Sequence, residues 1–114
     1  MKVSVAMRHG SLSDELRELT ERRAQRLLRF EPRVGDVFVT YDEDSERKRA
    51  EVRADVEGGS SVIARAGGPT HRTALDRSLD RAIRQLKRQR ERRRDHQAPA
   101  ADIAAPDPEI PASS

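Results

Sequence analysis

The sequence predicts an α+β fold, a β-α-β-β-β-α sandwich with two helices on one face of a four-stranded sheet. Three observations carry this. Four short runs alternate apolar and polar residues at the strand period, and two longer stretches repeat apolar residues at the helical period. Gly, Pro and acidic clusters separate the runs.

The first run, Lys2–Met7, sets Val3, Val5 and Met7 on one side and reads as a strand that Gly10 and Ser11 end. Ser13 is a candidate N-cap for a helix whose first turn holds Asp14 and Glu15, acids that the helix dipole favours there. That helix is expected to reach about Phe30, burying Leu16, Leu19, Leu27 and Phe30 and stopping before Pro32. Arg23 borders this stripe, so its stem should pack while its head reaches solvent or a partner. Val34–Tyr41, Ala50–Glu57 and Ser61–Ala66 are the remaining strands. Asp42–Glu46 forms one hairpin loop, Gly58-Gly59 suits a turn with positive φ, and Gly67, Gly68 and Pro69 close the sheet. Thr70 is a candidate N-cap for the last helix, expected to run to roughly Arg94.

That last helix holds the charge. Residues 70–96 carry ten Lys and Arg against four acids, whereas residues 1–69 balance thirteen against thirteen. Leu75, Leu79, Ala82, Ile83 and Leu86 form one apolar stripe. Arg77, Arg81, Arg84 and Arg88 repeat the same spacing roughly 200° away at about 100° per residue. One side can enter a core while the other presents guanidinium groups, which take bidentate contacts from phosphate. The competing reading is a solvated face with intrahelical pairs, Asp76 or Asp80 with Arg84 and Arg77 with Asp80. Acids are too few to neutralise the line, and none lies between Arg81 and Arg90. Candidate RNA contacts on this helix are therefore Arg77, Arg81, Arg84, Lys87 and Arg88, with Arg22 and Arg26 widening the surface if the helices lie side by side. Arg90 and Arg93 stand where the apolar stripe would continue, so the last turns should project into solvent or a partner.

Composition narrows the rest. At 114 residues, with 34% hydrophobic and 3% aromatic content, there is room for one domain with a small aliphatic core. The folded part is expected to span residues 1–96, and residues 97–114, with four prolines and three acids, to be a disordered tail. Phe30, Phe38 and Tyr41 all fit core or sheet positions, so recognition should run through phosphate, sugar and shape and not through stacked bases. His9, His71 and His96 lie in separate segments and no cysteine is present, so neither a metal site nor any cofactor is expected. Asp42, Glu43 and Asp44 lack the Gly and distal Glu of an EF-hand loop, and Ser11-Leu-Ser13 and Gly58-Gly59-Ser60-Ser61 match no nucleophile elbow. No active site or small-molecule substrate is therefore expected, and no apolar run suits a signal peptide or a membrane span. A monomeric, cytoplasmic, non-enzymatic protein is expected.

Two stretches resemble a known family. Ser13-Asp-Glu-Leu-Arg-Glu-Leu19 is similar to its Thr-Glu-Ala-Leu-Arg-Glu-Phe, and Ala74-Leu-Asp76 with Asp80-Arg-Ala-Ile-Arg-Gln-Leu86 and Arg88, Arg90 and Arg92 is similar to its Ala-Ile-Asp…Asp-Lys-Leu-x-Arg-Gln-Leu-x-Lys-x-Lys. This is the family of ribosome hibernation-promoting factors and ribosome-associated translation inhibitors, also called sigma-factor modulation proteins. The resemblance covers about residues 1–95. It implies a fold like double-stranded RNA-binding domains and binding to the small ribosomal subunit across the mRNA channel and tRNA sites. It further implies silencing and protection of ribosomes in stationary phase or stress. Matching basic positions are Arg81, Arg84, Arg88, Arg90 and Arg92, with Arg17 and Arg23. Arg72 stands where the family often has an aromatic, and the tail is too short for the second domain with which long members pair ribosomes. A general double-stranded RNA-binding module and a basic-helix module for an acidic protein are the alternatives.

Overall fold

A computed structural model describes residues 1–102. The elements are β1 (Lys2–Met7), α1 (Asp14–Ala24), α2 (Arg26–Phe30), β2 (Val34–Glu43), β3 (Lys48–Val56), β4 (Val62–Gly68) and α3 (His71–Asp102). The strands lie in the order β1-β2-β3-β4, with β1 parallel to β2 and the other neighbours antiparallel. A parallel pair cannot be joined by a hairpin, so α1 and α2 form the crossover between its strands.

One alternation sorts the whole sheet. Val37, Val39 and Tyr41 of β2 stand opposite Ala54, Val52 and Ala50 of β3 and beside Val3, Val5 and Met7 of β1. With Val62 and Ala64 of β4 they meet Leu19, Ala24 and Leu27 below and Leu75, Leu79, Ala82, Ile83 and Leu86 of α3 in one core. Every residue of the apolar stripe predicted for the last helix is buried there. The opposite face of the sheet is open, and Phe38 and Ile63 remain 38% and 44% exposed on it.

The elements differ from expectation in several places. The first helix is two: Gln25 N donates to Arg22 O at 3.3 Å and Leu28 N to Gln25 O at 3.1 Å, so the chain tightens to i→i+3 bonding at the junction. Three-residue spacing then points both Ala24 and Leu27 inward, each fully buried. Leu16 and Phe30 are only half-buried. The hairpin strands run longer than expected, leaving a turn at 44–47 in which Asp44 Oδ1 accepts the backbone N–H groups of Glu46 and Arg47 at 2.9 Å.

Gly67 and Gly68 belong to β4 and do not end it. A Cβ on Gly68 would lie 2.9 Å from Thr73 Cγ2, so the missing side chain lets α3 begin directly over the strand. Thr70 caps α3, its Oγ1 accepting from Thr73 N at 3.1 Å, and the helix continues past Arg94 to Asp102. Gly58, at φ 72°, supplies the positive φ of the β3–β4 turn, closed by Gly59 N to Val56 O at 3.0 Å. The expected boundary at residue 97 falls within α3, and residues 103–114 of the expected tail lie outside the described residues.

Candidate nucleic-acid interface

Helix α3 presents polar side chains on both flanks of its buried stripe, and the flanks do different things. On the β4 side, Arg77 Nη1 donates to Gly67 O at 2.9 Å, Arg81 donates to Arg65 O, and Gln85 Nε2 donates to Ile63 O at 2.9 Å. Gln89 Nε2 follows with Ser60 O at 3.0 Å. The spacing explains the ladder: four helical residues advance about 6 Å and two strand residues about 6.8 Å. Side chains at every fourth helix position therefore meet the outward carbonyls at every second residue of the antiparallel-running edge strand from Gly67 to Ile63, and Gln89 reaches past the start of β4 to Ser60. These bonds satisfy acceptors that the edge would otherwise leave open.

On the other flank, α3 is tied to the crossover helices by ions. Asp76 holds Arg23, and Asp80 Oδ1 receives Arg26 Nη2 at 3.0 Å. Lys87 Nζ stands 4.8 Å from the centroid of the Phe30 ring. The intrahelical pairs considered from sequence do not form through the acids; Arg84 Nε only approaches Asp80 O at 3.5 Å.

Farther along, Arg90 and Arg93 do not project freely, as expected, but anchor the helix to the α2–β2 connector. Arg90 Nη1 donates to Phe30 O at 2.9 Å and Arg93 Nη2 to Glu31 Oε1 at 2.5 Å. Glu31 is only 3% exposed. Burial alone would raise its pKa, but the Arg93 and Arg33 hydrogen bonds outweigh burial and hold the carboxyl below its ordinary value. Sequence reading missed this anchor, because its partners stand 62 positions apart.

A second polar lock joins α1 to the sheet. Thr20 Oγ1 donates to Leu16 O at 2.6 Å, so the hydroxyl of Tyr41, 2.5 Å away, is the donor to Thr20 Oγ1. Burial pushes the Tyr41 pKa up to about 12.

The eleven candidate residues thus divide. Arg23 and Arg26 are neutralised by carboxylates. Arg22 borders a shallow hollow with Glu18 and Glu21, and Arg17 is exposed elsewhere on α1, so neither joins the α3 line. Arg77 and Arg81 bind neutral carbonyls and keep their full charge, with most of their five N–H donors free. Arg84 and Arg88 are exposed beside them, and Arg88 and Arg92 flank Gln85 and Gln89 along a surface groove of about 310 Å³. The continuous basic surface is Arg77, Arg81, Arg84, Arg88 and Arg92, held against a rigid sheet edge. Among the described residues no group of three or more His, Cys, Asp or Glu is placed to hold a metal ion, and no helix is long and apolar enough to cross a membrane.

Residues 3–94 match the family model described as sigma 54 modulation protein / S30EA ribosomal protein. Among solved structures, the chain is similar to a ribosomal subunit interface protein from Coxiella burnetii, with a TM-score of 0.73 and 19% identity over 80% of this chain and 99% of that one. It is also similar to the N-terminal domain of Protein Y from Thermus thermophilus, with a TM-score of 0.69 and 27% identity over 77% of this chain and 98% of that one. No curated protein sequence matches it.

Proposed function

The chain belongs to the sigma 54 modulation protein / S30EA ribosomal protein family, and from that premise we propose that it inhibits translation by occupying the small ribosomal subunit. The domain wedges into the channel that mRNA and tRNA share and holds ribosomes idle and protected in stationary phase or stress. The observation that carries this reading is the exposed arginine line on α3, tied at Arg77 and Arg81 to carbonyls of the sheet edge and with no ion pair to an acid among the described residues. Arg77, Arg81, Arg84, Arg88 and Arg92 contact ribosomal RNA phosphates, with Lys87, Arg90, Arg17 and Arg22 at the margin and Arg23 and Arg26 positioning the helices. Residues 1–96 are the ribosome-binding unit. The action is occupancy, not catalysis, and the protein works as a cytoplasmic monomer.

Competition on purified small subunits tests the mechanism. The protein and a leaderless mRNA with initiator tRNA should exclude each other, and binding should weaken as salt rises because phosphate contacts release counterions. Stable co-occupancy of one subunit by protein, mRNA and tRNA would refute the channel assignment. Displacement by excess duplex RNA would instead mark a general double-stranded RNA-binding module.

A further inference from the structure

The open face of the sheet, away from α3, contains a hollow of about 440 Å³. Four arginines from four different segments line it: Arg8 past β1, Arg47 in the hairpin turn, Arg49 on β3 and Arg65 on β4. Three carboxylates oppose them, Asp42 and Glu51 in the lining and Asp44 beside Arg49, which leaves a net charge of +1 with Arg47 outside these pairs. Little of the guanidinium hydrogen-bonding capacity is used. Arg8 stands 3.8 Å from Asp42 and Arg65 3.3 Å from Glu51, while Asp42 Oδ1 already engages His9 at 2.6 Å and Glu43 N at 2.8 Å. Only Arg49 is firmly held, by Asp44 at 2.5 Å.

Backbone bonds fix where these side chains start. Arg8 N donates to Tyr41 O at 2.9 Å, and Arg47 is held through both its N and its O by Asp44. The floor is open at Gly67, where a Cβ would come within 3.1 Å of the Arg47 guanidinium. The guanidinium lies where a side chain would otherwise stand. Such a cradle is charged and concave.

We infer that this hollow binds a compact anion carrying two or more adjacent phosphates. An extended nucleic-acid backbone finds no net positive charge farther along this face, where Lys2 and Arg53 are matched by Asp36 and Asp55. The ligand chemistry has two sources, inorganic diphosphate or a nucleoside triphosphate. Phe38, exposed on the same face two residues along β2 from Thr40 of the hollow and with the Arg53 guanidinium 5.7 Å from its ring centroid, is where a base would rest.

Amide NMR titration of the full chain at low salt, with sodium pyrophosphate and separately with ATP, tests this. Saturable one-to-one shifts at residues 8, 40, 47–49 and 65–67 are expected. Arg8→Glu with Arg47→Glu, both on the surface, should weaken binding more than tenfold, and Arg65→Gln several-fold. Arg84→Glu with Arg88→Glu should leave it unchanged. Additional shifts at residue 38 with ATP would assign the base to Phe38, and their absence would assign the site to phosphates alone; either supports the hollow. Non-saturating shifts, shifts centred on α3, or equal affinity in both hollow variants would overturn it.

Discussion

The two flanks of α3 use the same side chain to opposite electrostatic ends. Toward β4, Arg77 and Arg81 donate to neutral carbonyls and remain full cations. Toward the crossover helices, Arg23 and Arg26 are paired with Asp76 and Asp80, so each contact is close to neutral. A hydrogen bond to a carbonyl fixes an arginine without discharging it; a salt bridge fixes it and cancels its field. The lesson is that counting arginines overstates a polyanion site, and their partners decide how many count.

Charge reversal on the unneutralised flank should have the largest effect. Arg84→Glu with Arg88→Glu should lower ribosome co-sedimentation by more than a hundredfold with unchanged circular dichroism, and the salt dependence should become shallower by about two contacts. Undiminished sedimentation would mean that the line is not the contact surface.

The anchor at the end of the same helix comes next in size. Glu31→Gln should cost about 1–3 kcal/mol, because Arg93 and Arg33 lose a buried charged acceptor. Its pKa is lowered in the folded state. The stabilisation is therefore present above the ordinary carboxylate range and lost as pH falls through the lowered folded value. Thermal unfolding of the two proteins should converge in acid, and a pH-independent gap would contradict the charge-based anchor. Tyr41 has the opposite sense. Its pKa is raised to about 12, so its contribution holds below pH ~10 and fades as pH rises toward that value.

Smaller effects sharpen the contrast. Gln85→Ala with Gln89→Ala removes two ladder bonds and no charge. It should cost about 1–2 kcal/mol in urea unfolding, promote self-association through the bared β4 edge, and spare RNA binding at equal folded concentration. Asp80→Asn frees Arg26 at little stability cost, since exposed pairs contribute about 0–1 kcal/mol. It should tighten ribosome binding a few-fold; no change would mean that Arg26 lies outside the contact surface.

Local periodicity made the strands, the apolar stripe of α3 and both caps readable, because each depends on neighbours within about four residues. It could not reveal the break at Gln25, where burying Ala24 and Leu27 together favours a tighter turn over continuous α-helix. Gly67 and Gly68 looked like strand terminators, yet β4 needs small residues where α3 and Arg47 press close. The arginine spacing was legible, but its division was not. Whether Arg81 meets a carbonyl and Arg26 a carboxylate depends on which element lies alongside. Glu31 stood among ordinary surface acids until Arg93 arrived from the far end of the chain. Phe38 fitted a sheet position, and only the missing second layer shows that its ring faces outward.

The rungs between α3 and β4 also behave as a vernier. Each step of the helix falls short of each step of the strand by about 0.8 Å. Over three strand rungs, at Gly67, Arg65 and Ile63, flexible side chains absorb the drift. Over six or seven it would exceed their reach, and the scales would slip out of phase. An edge sealed in this way must be short, which sets an upper length on β4 that neither the core nor the ribosome imposes.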